Sequence, residues 1–264
     1  MKLKTNKTEL LIMKKYNIFF NTSEDMRKIP SNTVRLMITS PPYWDLKNYE
    51  AENQIGFKED YQTYLGRINK VWNETNRVLL ENGVVVVNIN TKSHHKKLKL
   101  LPFDIINQFE SIGLYLKDIH YWHKSSAIPQ LNNFGDHFEY FLIFSKNNPT
   151  NYSSDDYFTY KVNTHNKMSN IWNINKKFGS VGKKYMVHPA IFPIEYIVNM
   201  IEIFTKKDDI ILDPFLGSGT SLIAAMLTKR SFYGFELNNS EYKKLIKNRI
   251  EDEGLDFNKV STNH

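Results

Sequence analysis

The sequence contains no cysteine. Disulfides, cysteine-ligated zinc, iron–sulfur clusters and every mechanism that opens with a thiolate nucleophile are therefore excluded. Long apolar runs are missing as well. The lysine-bearing N-terminus holds only a four-residue run, residues 10–13, too short for the core of a signal peptide or for a membrane span. A soluble, cytoplasmic protein is expected. Internal repeats and low-complexity tracts are also absent. A second start-like "MKK" at Met13 marks residues 1–15 as a loose N-terminal extension.

What is present is enough chain, 264 residues, to bury the core of one α/β domain with a small appended module. Lys and Arg outnumber Asp and Glu by 35 to 28, a net charge of +7 that suits a polyanionic partner without requiring one.

From Tyr16 onward, short β-rich runs alternate with segments of helical period, the pattern of α/β architecture. Strands are predicted over 34–38, where Pro41 and Pro42 then stop the ladder, and over 83–89, 115–122 and 138–144. Tyr61, Leu65, Ile68 and Trp72 predict an amphipathic helix over 60–80 that covers the sheet. Regular structure resumes with a helix over 189–204, a strand over 209–213, a helix over 220–229, a strand over 231–236 and a last helix from Ser240. Between these halves the chain is rich in Asn, Ser, Lys and Tyr and has no sustained period. The expected organisation is one half over 16–146, a loop-rich insert over 147–186, a second half over 187–252 and a polar tail over 253–264.

Two stretches carry candidate chemistry. "DIILDPFLGSGTSLIAA" sets a β-branched strand before a Gly-x-Gly turn and a helix-forming run, the layout of a nucleotide-type site in which Gly217 and Gly219 let backbone approach a ligand. Thr220 can simply cap that helix. Leu222 stands where a dinucleotide fingerprint has its third glycine, which weakens a pyrophosphate reading and with it a nicotinamide-dependent oxidoreductase. Glu236 follows Gly219 by 17 residues, near the offset of roughly 20 at which an acidic residue meets a ribose. Asp213 ends the strand beside the turn. Carboxylates here suit a ligand with ribose hydroxyls and positive charge, such as S-adenosylmethionine.

The second stretch is "TSPPYW". Taken alone, Ser40, Pro41, Pro42 and Tyr43 form a rigid turn leaving a strand. Beside a methyl sulfonium they fit a more specific task, attack by the exocyclic amine of a nucleobase. The amine's lone pair is delocalised into the ring, and acceptors aimed at its two hydrogens draw it out of conjugation. Ser40 Oγ and the Pro41 carbonyl can supply them, the prolines fix the backbone without a competing donor, and Tyr43 can stack on a base swung out of its helix.

Together "TSPPYW", "DPFLGSGT" and "VHPAIFP" resemble the amino-directed DNA methyltransferases of the β motif order, in which the catalytic motif precedes the cofactor motif. The resemblance spans about 16–250 and is thinnest in the insert. It implies a doubly wound, mostly parallel sheet of the S-adenosylmethionine-dependent methyltransferase type with an inserted target-recognition region. It also implies cofactor roles for Asp213, Pro214, Phe215, Gly217, Ser218, Gly219, Thr220 and Glu236, with His188, Pro189 and Phe192 closing the cofactor pocket. "YWHKSSAIP" and "HFEYFLIFSK" are similar to the family's segments beside the flipped base, and "SNIWNI" to the stretch leading back to the cofactor segment. Asn21 stands where members commonly have an aspartate, a departure that touches the contact to the cofactor's adenine.

Methylation of a cytosine ring carbon needs a cysteine and so is excluded. Within the family, Ser in the first position of the Pro-Pro motif resembles the N4-cytosine members; N6-adenine, an RNA amino group, or a nucleic-acid-binding protein on an inactive scaffold stay open. The implied partner is double-stranded DNA, with a separate restriction endonuclease in a restriction system. In the insert, Lys161, Lys167, Lys176, Lys177, Lys183 and Lys184 are candidate DNA contacts, interspersed with aromatics that include Trp172. "HHKKLK", residues 94–99, reads as a solvated loop or a phosphate contact, and His94 and His95 lack the partners of a metal site.

Overall fold

Strand β2 (Val34–Thr39) buries every residue but Arg35, as a strand with helices on both of its faces must. The computed structural model describes residues 15–45, 51, 53–94, 97–124, 137–146, 169–174 and 193–263. Ahead of β2 lies β1 (Tyr16–Phe19), and after it come α1 (Tyr61–Val78), β3 (Leu79–Ile89), the short pair β4 (Lys92–His94) and β5 (Lys97–Lys99), and α2 (Leu101–Ser111). Then follow β6 (Tyr115–His123), β7 (Phe138–Ser145), β8 (Ile171–Asn173), α3 (Ile194–Phe204) and β9 (Ile210–Asp213). The chain finishes with α4 (Thr220–Leu227), β10 (Ser231–Phe235), α5 (Asn239–Asp252), a 3₁₀ turn and β11 (Val260–Asn263).

Among the described residues, nine strands form one sheet in the order β11-β1-β10-β9-β2-β3-β7-β6-β8. The pairs from β11 through to β3 are parallel, and β7 runs antiparallel to both β3 and β6. Alternate residues of the central strands enter two cores. Leu36, Ile38, Val84, Val86 and Ile211 meet α3, α4 and α5, while Met37, Val85, Val87 and Leu212 meet α1 and α2. This is the doubly wound α/β architecture expected from the run of elements.

One junction in that order matters for function. From β9 the chain crosses through α4 to β10 on one side, whereas from β2 it crosses through α1 to β3 on the other. Neighbouring strands whose crossovers leave in opposite directions open a crevice at their carboxyl ends, where α/β sheets bind ligands. Both motif-bearing segments, Ser40–Tyr43 and Pro214–Thr220, emerge there, because β2 pairs with β9 in register Met37 to Leu212.

Several expectations need correction. The expected polar tail 253–264 ends in β11, which pairs with β1 and closes the sheet edge, Tyr16 opposite Val260. Four residues without an apolar period are invisible to pattern reading, yet an open edge accepts their backbone. Helix α2, with a proline in its first turn, is an element beyond those expected from the sequence pattern. Residues 97–99 are a strand rather than a solvated loop. Of the insert 147–186 the described residues are 169–174, in which β8 adds to the sheet beside β6. The N-terminal extension, apart from Lys15, lies outside the described residues, and the helix expected over 189–204 is described from Ile194. No helix among the described residues is long and apolar enough to cross a membrane.

Helix α1 is placed by Asp60, whose carboxylate accepts from the Gln62 and Thr63 amides. Its Arg67 then ties two loops to the sheet's rim. Arg67 pairs with Glu24 at 2.6 Å and Glu59 at 2.5 Å and donates to the carbonyls of Asn53 and Gln54. Both carboxylates and the guanidinium are largely shielded from water, so removing one partner strands the others' charge. Arg67→Ala is expected to lower unfolding free energy by on the order of 3 kcal/mol in urea titration; a change within experimental error would show the network to be dispensable.

Candidate active site

At the junction of β2 and β9 lies an open cleft, in the place where α/β sheets hold small-molecule ligands. One wall is Ser40, Pro41, Pro42 and Tyr43; the opposite wall is Pro214, Phe215, Leu216, Gly217, Ser218 and Thr220, with Glu236 at the end of β10. Asn21, exposed at the end of β1, also lines it. Two stretches about 170 residues apart in sequence thus face one cavity.

The glycine turn is held by a set of directed contacts. The Gly217 amide donates to Glu236 Oε2 at 2.9 Å, Leu216 N to the Phe235 carbonyl, and Gly219 N to the Leu216 carbonyl. Gly217 has φ +50° and Gly219 φ +83°, values that favour glycine. A Cβ on Gly219 would also come within 3.1 Å of the Ile246 side chain on α5. Gly219, not Thr220, is the N-cap of α4, without a side-chain capping bond. Thr220 and Ser218 instead accept from Arg249 of α5, at 3.1 Å and 2.6 Å from Nη1, which also meets the Ser218 carbonyl. The Phe215 ring stands edge-on to Trp72, anchoring the turn to α1.

The proline cradle has one engaged carbonyl and one unengaged hydroxyl. Tyr64 Oη donates to the Pro42 carbonyl at 3.0 Å, and Lys92 Nζ to the Trp44 carbonyl at 2.7 Å. Ser40 Oγ, half-buried at the cleft, has no hydrogen-bond partner among the described residues. An acceptor held on a rigid backbone and left without a donor is prepared for one that arrives with a ligand.

Two carboxylates sit in or under the cleft, and burial pushes both upward. Glu236 accepts from the Gly217 and Asn238 amides at 2.9 Å each. Burial and, in a lesser part, the charge of Asp213 nevertheless raise it to about 7. Asp213 is raised to about 6 by burial, against hydrogen bonds from Ser221, Thr39 and the Phe215 amide. Such groups are stabilised as carboxylates by a cation brought beside them. Asp213, however, does not line the cavity. It is 1% exposed and its oxygens are taken by Thr39 at 2.6 Å, Ser221 at 2.5 Å and Phe215 N at 3.0 Å. Expected as a cofactor contact, it serves in the protein alone as the clasp that joins the ends of β2 and β9.

Trp172, a candidate DNA contact, is engaged within the protein. Its indole N–H donates to His120 Nδ1 at 3.2 Å, its ring packs edge-on to Tyr196, and it joins the core beneath β8. That half-buried side chain fastens the insert to the sheet. His188, Pro189, Phe192, Lys161, Lys167, Lys176, Lys177, Lys183 and Lys184 lie outside the described residues. Unforeseen lining residues include Thr22, Ser23, Gln54, Ile55, Leu237 and Tyr242. The first two follow Asn21 at a strand's carboxyl end, a position that signals them; Gln54 and Ile55 belong to a loop that Arg67 helps to hold at the cleft. Among the described residues no cluster of three His, Asp or Glu side chains is arranged for a metal.

Because the folded-state value of Asp213 lies above the ordinary one, its contribution to stability is fully present below about pH 4 and is lost as pH rises through about 6. Asp213→Asn should therefore gain on wild type by on the order of 3 kcal/mol between about pH 4 and pH 7, read by urea unfolding at each pH. A difference that does not vary with pH would contradict the assignment.

Comparison with known proteins gives the same picture. Type II methyltransferase M.MjaI of Methanocaldococcus jannaschii is 31% identical over 92% of this chain and 95% of its own. Type II methyltransferase M.MthZI of Methanothermobacter thermautotrophicus is 29% identical over 90% of this chain and 77% of its own. Among solved structures, the DNA modification methylase TTHA0409 of Thermus thermophilus, complexed with S-adenosyl-L-methionine, shares the fold at a TM-score of 0.70 and 24% identity, over 94% of this chain and 98% of that one. PvuII DNA methyltransferase (cytosine-N4-specific) shares it at 0.70 and 20%, over 95% and 97%. A DNA methylase family model matches residues 34–248, from the first residue of β2 into α5 and so across both walls of the cleft, and the chain belongs to that family.

Proposed function

We propose that this DNA methylase transfers a methyl group from S-adenosylmethionine to the exocyclic N4 amino group of cytosine in a short duplex DNA sequence, in the cytoplasm and within a restriction–modification setting. The single observation that carries the reading is the shared cleft: the unengaged Ser40 acceptor and the Glu236-braced glycine turn line one cavity.

The residues present fit the cofactor. Glu236, raised to about 7 in the protein alone, is an acceptor for ribose hydroxyls and becomes a settled carboxylate beside a positive ligand. The Gly217–Ser218 turn lets backbone approach the methionine portion, and Asn21, Thr22 and Leu237 border the adenine end of the cleft under this reading. S-adenosylmethionine supplies an electrophilic methyl group on a sulfonium. Ser40 Oγ and the Pro41 carbonyl accept the two hydrogens of the target amine and concentrate its lone pair on nitrogen. The two prolines hold these dipoles in place before the base arrives, so little reorganisation is needed during transfer. Tyr43, packed partly against the α1-side core, offers its ring to the extruded base. As nitrogen gains its fourth substituent the methyl carbon's bond to sulfur would break, the spent cofactor leaving as a neutral thioether, and the surplus proton, now acidic, would pass by way of Ser40 Oγ to solvent.

Cytosine rather than adenine is favoured by serine in the first position of the Pro-Pro motif. Labelled methyl transfer to DNA followed by nucleoside analysis tests this: N4-methylcytosine is expected, and N6-methyladenine would move the assignment to the adenine branch. Direct sequencing of modified bases from cells expressing the gene maps the site. Ser40→Ala should keep cofactor affinity and lose about 10²-fold in kcat; unaltered turnover removes the role given to Ser40. Cofactor affinity should rise on the order of tenfold between about pH 6 and pH 8 as Glu236 ionises, and Glu236→Gln should bind more weakly with a flatter profile in calorimetry. An identical profile in that variant would contradict the ribose contact.

A further inference from the structure

Strands β4 and β5 form a hairpin that pairs Lys92 with Lys99, Ser93 with Leu98 and His94 with Lys97. Paired residues point to one side and successive residues to opposite sides, so the cations and His94 share one face and Leu98 occupies the other. The first face is fixed to Trp44, the residue after Tyr43. The His94 ring lies 4.3 Å from the Trp44 ring, and the Lys99 ammonium 5.3 Å from Trp44 and 4.5 Å from Tyr61. Lys92 donates to the Trp44 carbonyl.

The other face is turned to water. Leu98 is 61% exposed and is followed by Leu100 and Phe103, both near half exposed, while Lys97, although on the first face, is exposed as well. Side chains this exposed add little to the fold, and apolar ones grouped on a soluble protein's surface mark contact surfaces. Its position narrows the contact. The hairpin leaves the carboxyl end of β3, the strand next to β2, and so stands on the same rim as Ser40. A nucleotide swung into the cleft brings its duplex over that rim.

We propose that the outer face of this hairpin, together with the exposed Lys97 of its first face, is a duplex-DNA contact, with Leu98 packed against sugar and base edges next to the extruded nucleotide and Lys97 paired with a phosphate. Apolar side chains that enter beside an unstacked step offset part of the lost stacking, and a flanking ammonium holds the backbone in register. Lysines on the hairpin favour DNA over a second copy of this basic chain as the occupant. The inference rests on the reading that the protein methylates a base in duplex DNA.

The test is fluorescence anisotropy of a labelled duplex carrying the mapped methylation site, titrated with full-length protein across salt concentrations, alongside methyl transfer to the same duplex. Leu98→Ala is expected to bind about tenfold more weakly at every salt concentration. Lys97→Ala should lower the slope of log affinity against log salt by about one. Both should keep wild-type cofactor affinity. Leu227→Ala, which removes an exposed leucine at the end of α4 remote from the glycine turn, should match wild type. Should wild type transfer methyl to the duplex while both hairpin variants bind and transfer as it does, the hairpin inference alone is overturned. A Leu98→Ala effect on sedimentation without one on DNA affinity overturns it in favour of self-association. A wild-type protein that transfers no methyl to duplex DNA takes the function and the hairpin down together.

Discussion

The parallel pairing of β2 with β9 is the constraint on which the rest depends. It sets Met37 beside Leu212 and so brings the carboxyl ends of two strands distant in sequence to adjacent points on one rim. Ladder bonds fix the strands' spacing, but not where the chains go after leaving the sheet. That is set by the buried clasp in which Asp213 accepts from Thr39, Ser221 and the Phe215 amide. Thr39 is the residue before Ser40 and Phe215 stands within the glycine turn, so one carboxylate orients both walls of the cleft. A group with no surface of its own thereby governs the shape of the surface that acts.

Charge is divided between the inside and outside of this rim. Inside, Asp213 and Glu236 are carboxylates raised by burial to about 6 and 7, with the glycine-turn amide of Gly217 aimed at Glu236. That environment suits a ligand carrying positive charge and hydroxyls, and it opposes phosphate. Outside, Lys92 and Lys99 brace Trp44, and Lys97 is exposed next to them. Under the proposed function a negatively charged duplex is drawn to the rim while its backbone is kept from the interior, a separation that fits a site where only one base enters. The rigidity of the region has its own supports. Arg67 ties the loops that carry Ser23, Gln54 and Ile55 to α1, and Arg249 braces the Ser218 and Thr220 oxygens from α5.

Much of this was legible in the sequence because the responsible residues are of types whose physics is local. The Val-rich β3, the run before Pro41 and the Gly217 turn each announce a strand, a stop or a bend by themselves. What was not legible depends on partners far along the chain. Asp213 reads as a ligand contact by residue type and place, and only its depth and three donors reveal a clasp. Trp172 reads as an aromatic among lysines, yet its N–H is spent on His120. Val260–Asn263 carries no strand pattern, and the open edge of β1 recruits it. The loop around Gln54 reaches the cleft through Arg67, a link that no spacing encodes.

Under this view one ligand touches both walls at once, and amide hydrogen exchange measured with and without S-adenosylmethionine tests that most directly. Slowed exchange is expected together in peptides covering Thr39–Asp45 and those covering Phe215–Thr220, at the same ligand concentration. Protection confined to the glycine turn, with the proline segment exchanging as freely as before, would contradict a single shared site.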